Sequence, residues 1–320
     1  MQMFVFIAGC LAAWFVPLWA ASPRIFEWER GIAVQQQGRD DLTMYLWFYE
    51  WNLFEAMSAG QHTPGTYRNT RAVAPDGRTA TVSAPGLYLT VEAVSDGARL
   101  VLKITNLSGR DWPETAAIVP CWNPGRIPGS VTSNHSPLNP NFADPGRDRS
   151  YFQSAAGIAL LDSRAIHFNS RWRPALDRIT PEDAFAFSYK WPTSEVNATS
   201  GVLIRESADR AWVTGIGWED SLSVQGHNPW NCLHASIRVG PLKAGESKTV
   251  RGRIFLFPGS RRDCLERFTK EFPSKSTESA QRPGRPRSSE AGTRFCCKPG
   301  SAACRRSCQD LLGLSRAPGT

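Results

Sequence analysis

Two strand-like segments around an Asp-Gly turn constrain the fold of this chain more than any other feature. Residues 87–94 (LYLTVEAV) and 98–105 (ARLVLKIT) alternate apolar with other side chains, and Ser95-Asp96-Gly97 lies between them. This pattern predicts a β-hairpin, because the tight turn needs a residue that adopts positive φ at low cost. The residues that share the apolar face of the first strand are Leu87, Leu89, Val91 and Ala93.

The rest of the body contains further short strand-like segments separated by Pro-Gly and Gly-rich corners. These segments are 115–119 (TAAIV), 157–161 (GIALL), 184–191 (AFAFSYKW), 201–204 (GVLI), 211–218 (AWVTGIGW), 232–239 (CLHASIRV) and 248–257 (KTVRGRIFLF). Many short strands at such spacing favour an antiparallel β-sandwich or barrel over alternating βαβ units. Residues 45–57 fit both a buried strand and a helical face, so their structure stays open.

A closing helix is predicted at the end of the body. Ser260 followed by Asp263 has the character of a capping box, which predicts a helix from about Arg261 to Glu271. Its apolar stripe consists of Cys264, Leu265, Phe268 and Phe272. The predicted fold is therefore mainly β, an antiparallel β-sandwich of supersandwich type with a C-terminal closing helix.

The first 22 residues differ from the body in composition. No charged side chain lies between Met3 and Ala21, and small residues close the run. This is typical of a secretory signal peptide cleaved near Ala21, although no Lys or Arg precedes the apolar run. A retained membrane anchor and a misassigned start codon are the alternatives. We expect an exported protein of the periplasm, cell envelope or extracellular space, with membrane contact only through this segment if it is uncleaved.

The composition changes again after Phe272. Residues 273–320 are polar, rich in Arg, Pro and Gly and without periodicity, which predicts disorder. Their four cysteines show no standard metal spacing, and out-of-frame translation of a GC-rich gene would produce similar text, so we assign this tail no activity. The expected organisation is a leader over 1–22, a single β-sandwich domain over 23–272 and a disordered basic tail over 273–320.

The net charge of +8 belongs to the tail rather than to the body. Nine Lys and Arg and three Asp and Glu lie from Pro273 onward, which leaves 28 basic and 26 acidic residues before it. A nearly neutral body lacks the electrostatic footprint that binding to a phosphate backbone requires. We therefore expect no nucleic-acid partner.

The cysteines of the body are Cys121, Cys232 and Cys264. In an exported protein they allow one disulfide and one free thiol, whereas buried reduced cysteines are an equal alternative. The sequence leaves any pairing open. Cys121 and Cys232 each lie beside a Trp and an Asn-Pro corner, so a bridge between them would hold two corners together at one end of the sandwich.

Residues 226–234 (GHNPWNCLH) concentrate side chains that bind metals or ligands. If residues 232–239 form a strand, Cys232 and His234 project from the same face, and His227 lies in the preceding turn. Zn²⁺ accepts these residue types, but the H-x4-C-x-H spacing matches no standard site and further ligands are missing. We therefore predict no metal ion and no cofactor.

A carbohydrate site suits the same region better. Indole faces beside amide, imidazole and carboxylate groups suit a sugar ring, whose C–H faces stack while its hydroxyls need fixed polar partners. The candidate ligand-binding residues are Trp230, Asn228, His234, Trp218, Glu206 and Lys190. The alternative is that these tryptophans only fill the core.

Three late segments resemble the end of galactose-mutarotase-like β-supersandwich proteins and of uncharacterised exported bacterial proteins of that type. They are GIGWE (215–219), GHNPWNCLH (226–234) and VGPLKAGESKTVRGRIFLF (239–257), in which PLKAGE precedes the last long strand. The resemblance, over about residues 80–272, implies a carbohydrate-facing sheet. For an enzyme it implies a histidine acid and a glutamate base, catalytic roles that His227 or His234 and Glu219 would fill.

Two classes of function follow. The first is an exported carbohydrate-binding or carbohydrate-acting β-sandwich protein; as an enzyme it would transfer a proton at a sugar carbon, as an epimerase or mutarotase does. The second is a structural or interaction protein of the cell envelope without catalytic activity. The sequence contains none of the motifs of serine hydrolases, zinc proteases or nucleotide-binding enzymes.

Overall fold

The computed structural model describes eight segments of the chain. They are residues 22–29, 31–48, 69–117, 120–125, 139–162, 164–176, 192–226 and 231–273. The chain divides into two compact units, Met1–Lys275 and Ser276–Thr320, and every described residue belongs to the first. Apart from Ser22 and Pro273, the predicted leader and tail lie outside the described residues. No helix within the described segments is long and apolar enough to cross a membrane.

Strands make up most of the regular secondary structure in the described residues. In chain order they are β1 (Arg24–Trp28), β2 (Gly31–Gln35), β3 (Thr43–Trp47), β4 (Thr70–Val73), β5 (Thr79–Ala84), β6 (Leu87–Val94), β7 (Gly97–Thr105), β8 (Ala116–Ala117), β9 (Cys121–Asn123), β10 (Ser150–Ser154), β11 (Gly157–Leu160), β12 (His167–Phe168), β13 (Ala198–Glu206), β14 (Trp212–Trp218), β15 (Ser221–Gly226), β16 (Leu233–Arg238) and β17 (Ser247–Pro258). The helices are a 3₁₀ turn at Asp40–Leu42, α1 (Arg173–Leu176) and α2 (Arg261–Glu271).

The strands form two antiparallel sheets. Within the described residues, the first sheet has eight strands in the order β1-β2-β3-β9-β16-β15-β12, with β8 also paired to β16. The second has nine strands in the order β11-β10-β13-β14-β17-β7-β6-β5-β4. Apolar side chains of both sheets form one core cluster, which includes Leu46 of the first sheet and Leu102 of the second. The prediction of an antiparallel β-sandwich is confirmed.

The hairpin that constrained the sequence analysis is present. β6 and β7 pair from Leu87↔Ile104 to Val94↔Gly97, so the turn contains two residues, and Gly97 has a φ of 140°. The predicted apolar face of β6 is buried in the core between the sheets. Burial of every second residue on this strand explains why the alternating pattern was so clear.

Two tryptophans fill the core between the sheets. Trp122 of β9 and Trp218 of β14 are both fully buried. The Trp122 Nε1 donates a hydrogen bond of 2.8 Å to Thr214 Oγ1, which joins the first sheet to the second and satisfies a buried indole N–H. The Trp218 ring lies against Gly252 of β17, where any Cβ would collide with the indole.

The closing helix is confirmed with the predicted bounds. α2 begins after Ser260, and the reciprocal hydrogen bonds between Ser260 and Asp263 form a capping box. Cys264 and Phe268 are buried against the face of the second sheet that is turned away from the core. Gly217 of β14 leaves room for the Phe268 ring, which a Cβ at that position would strike.

The other predicted strands correspond to described strands with shifted ends. They are β11, β13, β14, β16 and β17, together with β8, whose described part is only Ala116–Ala117. The prediction for residues 184–191 lies outside the described residues. Of the ambiguous segment 45–57, residues 45–47 belong to β3, a strand, and Phe48 follows it; the rest lies outside the described residues.

Candidate functional site

Aromatic and polar side chains occupy the face of the first sheet that is turned away from the second sheet. In β3, Met44 and Leu46 belong to the core between the sheets. Because side chains alternate along a strand, Tyr45 and Trp47 lie on the opposite face. We call this face of the first sheet the outer face.

Strand pairing aligns the outer-face residues in two rows. The first row runs across four strands as Trp47, Cys121, His234 and Gln225, and the second runs across three strands as Tyr45, Asn123 and Cys232. Gln225 is half-buried, whereas the other members of both rows are buried. Such a composition on a sheet face differs from the Val, Ile and Leu of the inner face, and it identifies the outer face as the candidate functional surface.

Cys121, Cys232 and His234 converge at the centre of the outer face. The Cys121 and Cys232 sulfurs are 3.5 Å apart, and none of the three cysteines of the described residues, Cys264 included, forms a disulfide. The metal-ligating atoms of Cys121, Cys232 and His234 lie within 4.8 Å of one another. This trio has the donor types for a soft or borderline metal ion.

Asn123 orients the cluster. Its Oδ1 accepts a hydrogen bond of 2.8 Å from the Gly125 N–H, which leaves Nδ2 to donate to Cys232 Sγ at 3.4 Å. Asn231, whose φ is 65°, donates from Nδ2 to the Gly125 carbonyl at 2.8 Å. The chain before β16 and the chain after β9 are therefore tied together beside the two sulfurs.

Three aromatic side chains extend the outer face to the edge of the sheet. The Trp28 ring lies 4.0 Å from the Tyr45 ring and 6.1 Å from the Trp47 ring, the latter in an edge-to-face arrangement. Trp28 is half-buried, whereas Tyr45 and Trp47 are buried. Burial raises the pKa of Tyr45 to about 12, so its phenol is neutral at physiological pH. We call Trp28, Tyr45 and Trp47 the aromatic edge.

A buried arginine of the second sheet reaches the backbone just before β16. Arg205 of β13 is fully buried, and its guanidinium donates to Ser150 Oγ at 2.9 Å and to the Asn231 carbonyl at 3.2 Å. Burial lowers the pKa of Arg205 to about 10, against the opposing charge of Asp144, so the side chain stays cationic at neutral pH. Arg205 also interacts electrostatically with Cys232, which places a fixed positive charge near the thiol cluster.

Several predicted site residues have structural roles in the second sheet. Trp218 is fully buried in the core. Glu206 is buried and accepts hydrogen bonds from the Arg261 backbone N–H at 2.9 Å and from its guanidinium at 2.8 Å, at the start of α2. Glu219 pairs with the Arg251 guanidinium at 2.7 Å and also accepts the Arg251 N–H at 2.8 Å. Both carboxylates are therefore held by arginines.

Among the predicted site residues that the structure describes, His234 is the one that lies on the outer face. His227, Asn228, Trp230 and Lys190 lie outside the described residues and stay predictions.

Sequence reasoning missed most of the outer face. Trp28, Tyr45, Trp47 and Asn123 were not predicted as site residues, and Cys121 was considered only for a disulfide. The aromatic side chains at alternate positions 45 and 47 were the available signal, because they imply an aromatic face wherever that segment is a strand.

No protein-family model and no characterised protein matches the sequence. Among solved structures, a polysaccharide lyase aligns with a TM-score of 0.33 and 8% identity, over 77% of this chain and 35% of that chain. A protein of Escherichia coli K12 assigned as an aldose 1-epimerase aligns with a TM-score of 0.26 and 10% identity, over 74% of this chain and 68% of that chain. This chain therefore spans about a third of the lyase. Both neighbours carry the names of carbohydrate-acting proteins, but likeness at this level does not bear on what this chain does.

Proposed function

We propose that this protein is exported and binds carbohydrate on the outer face of the first sheet. The observation that carries the proposal is the aromatic edge, Trp28, Tyr45 and Trp47, on the same face as buried and half-buried amide and imidazole groups. Sugar rings present apolar C–H faces that stack on indoles, and hydroxyls that need fixed hydrogen-bonding partners. One sheet face carries both kinds of group, and Trp28 and Gln225 are the half-buried representatives of each kind.

The half-buried side chains of the outer face are where a saccharide would first make contact. Trp28 lies at the aromatic edge, and Gln225 lies at the far end of the first row. Gln35 and Thr43, half-buried on the neighbouring strands β2 and β3, are joined by a hydrogen bond of 2.8 Å. These groups are pre-positioned by the sheet, which lowers the entropic cost of binding.

Ion pairing of the two carboxylates predicted for the site, Glu206 and Glu219, favours binding over catalysis. A sugar epimerase needs a free general base, and Glu206 and Glu219 are each held by an arginine. A catalytic role for Glu219 with His227 or His234 would require it to leave Arg251. An enzyme of epimerase type therefore stays a second proposal, tested by turnover of mono- and oligosaccharides.

Export is proposed from the uncharged run of residues 3–21. N-terminal sequencing of the mature protein from the exported fraction tests it. A mature chain that begins near Ser22 is expected, and a chain that retains residues 1–21 in the cytoplasm would contradict export.

A glycan array probed with the full chain tests the binding proposal, followed by calorimetry with a bound glycan. We expect Trp28→Ala to weaken binding about tenfold, which corresponds to about 1.4 kcal/mol, because a stacking surface is lost. The matched control is Tyr88→Ala, which removes an aromatic side chain that is 48% exposed on the second sheet, and it should bind as the wild type does.

Two outcomes would contradict the proposal. Binding by Trp28→Ala as tight as wild-type binding would show that the outer face is not the binding surface. A wild-type chain that binds no glycan would favour the alternative of a structural or interaction protein of the cell envelope.

A further inference from the structure

We propose that Cys121, Cys232 and His234 form a binding site for a single transition-metal ion of the zinc(II) class. Cys121 is the first residue of β9, Cys232 immediately precedes β16, and His234 lies within β16. The site goes beyond carbohydrate binding and does not depend on it, because it rests on the thiol cluster alone.

The geometry of the cluster fits a tetrahedral ion. The sulfurs are 3.5 Å apart, and with zinc–sulfur bonds of about 2.3 Å this separation corresponds to an S–Zn–S angle of about 100°, close to the tetrahedral value. The ligating atom of His234 lies within 4.8 Å of both sulfurs. Three protein ligands leave one position of the tetrahedron for a further ligand.

The surroundings of the cluster are those of a metal–thiolate centre. The Asn123 amide donates to Cys232 Sγ at 3.4 Å, and its orientation is fixed because its Oδ1 accepts from the Gly125 N–H. Hydrogen bonds of this kind orient ligands and stabilise the charge on sulfur. Trp47 pairs with Cys121 across β3 and β9 and belongs to the same buried apolar cluster as both cysteines.

Charge balance favours a divalent ion at this site. Binding requires both thiols to lose their protons, which pass to solvent, and the two thiolates then neutralise the ion. The buried cluster would thus carry no net charge when loaded, which keeps the electrostatic cost of burial low.

A disulfide is a poorer explanation for the proximity of the two sulfurs. Leu233 pairs with Trp122, so Cys232 lies opposite Asn123, and Cys121 lies opposite His234. Cys121 and Cys232 are therefore diagonal neighbours, whose Cα atoms are typically about 7–8 Å apart in a sheet. Disulfides usually join Cα atoms no more than about 6.8 Å apart, so a bond here would require the strands to shift.

Zinc binding by the full chain tests the proposal. The cysteines outside the described residues are first replaced by serine to remove competing thiols; they are Cys10, Cys296, Cys297, Cys304 and Cys308. After reduction, zinc loading and dialysis, this parent protein should retain about one equivalent of zinc by mass spectrometry of the metal. Cobalt(II) in place of zinc should give thiolate-to-metal charge-transfer absorption.

Variants of this parent protein assign the ligands. Cys121→Ser, Cys232→Ser and His234→Gln should each lose most of the bound zinc and the cobalt absorption. Cys264→Ser is the matched control, because it removes another buried thiol that lies under α2, and it should keep both. If a variant unfolds, the parent protein, which keeps Cys121, Cys232 and His234, gives a separate readout. Restoring zinc to the chelator-treated parent should raise its Tm in a saturable manner.

Three results would overturn the proposal. The first is a folded parent that retains less than about 0.1 equivalent of zinc and shows no zinc-dependent change in Tm. The second is equal zinc content in the parent and in a folded Cys121→Ser or Cys232→Ser variant. The third is a Cys121–Cys232 disulfide in the isolated protein, with no metal uptake after its reduction.

Discussion

His167 is a buried titratable residue that ties the stability of the sandwich to pH. It lies on β12 with its ring 4.2 Å from that of Phe152, and its Nδ1 is 2.7 Å from the Val196 carbonyl, so this nitrogen carries the proton. Its Nε2 is buried and has no hydrogen-bond partner among the described residues. Burial lowers the pKa of His167, against the opposing effects of the Val196 carbonyl and the Asp162 charge.

We predict that the free energy of unfolding falls on acidification below about pH 6.5, the ordinary pKa of histidine. Because the pKa is lower in the folded than in the unfolded state, the unfolded chain binds the proton more readily, and stability is full only above that pH. Each unit by which folding lowers the pKa of His167 adds about 1.4 kcal/mol to the part of the unfolding free energy that is lost on acidification. Urea unfolding at pH 7.5 and pH 5 should show a smaller difference for His167→Gln than for the wild type. An equal difference in both proteins would contradict the role of His167.

At the scale of one residue, exposure separates the tryptophans that the sequence could not. Trp218 and Trp122 are fully buried between the sheets, whereas Trp28 is half-buried on the outer face. Residue type alone does not distinguish a buried tryptophan from a half-buried one. Strand pairing decides which indole meets the core, and for Trp122 the paired strands β3 and β16 come from distant parts of the chain.

At the scale of one element, α2 depends on a glycine in the strand beneath it. A Cβ at Gly217 would strike the edge of the Phe268 ring and would lie 3.1 Å from Val202 Cβ. The helix and β14 therefore approach as closely as they do because position 217 has no side chain. Glycine at this position is a packing requirement rather than a turn signal.

We predict that Gly217→Ala lowers the free energy of unfolding by about 1–3 kcal/mol, the usual cost of overpacking a core. In a Phe268→Leu background the same substitution should cost less, because leucine lacks the ring carbon that the new methyl group would strike. Urea unfolding of the four proteins of this double-mutant cycle measures the coupling. Equal costs in the two backgrounds would show that the contact does not limit the approach of the helix.

Elements with a strong local pattern were predictable. In the β6–β7 hairpin, buried side chains alternate along β6, and Gly97 with its positive φ follows directly after the turn. The capping box of α2 lies within the sequence of the helix start itself. β1 and β2 were missed because their patterns are weaker: β2 is buried at four of its five positions, so its sequence does not alternate. Short strands of this kind owe their structure to their neighbours rather than to their own sequence.

At the scale of the whole molecule, the order of strands in the first sheet creates the outer face. β9 pairs with β3 on one side and β16 on the other, so Cys121 meets Cys232 across 111 residues of sequence. The parity of Cys232 and His234 was readable from one strand, but the third member of the trio was not. Non-local pairing has no local signature, which is why the sequence predicted the sandwich and not the candidate functional surface.

Carbohydrate binding on the outer face of the first sheet, proposed above, can be measured directly at Trp28. Hydroxyl-radical footprinting of the wild-type chain, with and without a saturating saccharide found on the array, tests it without any substitution. We predict that oxidation of Trp28 slows several-fold when the saccharide is bound, while oxidation of Tyr88 on the second sheet stays unchanged. Unaltered oxidation of Trp28 in the saturated complex would contradict the proposal.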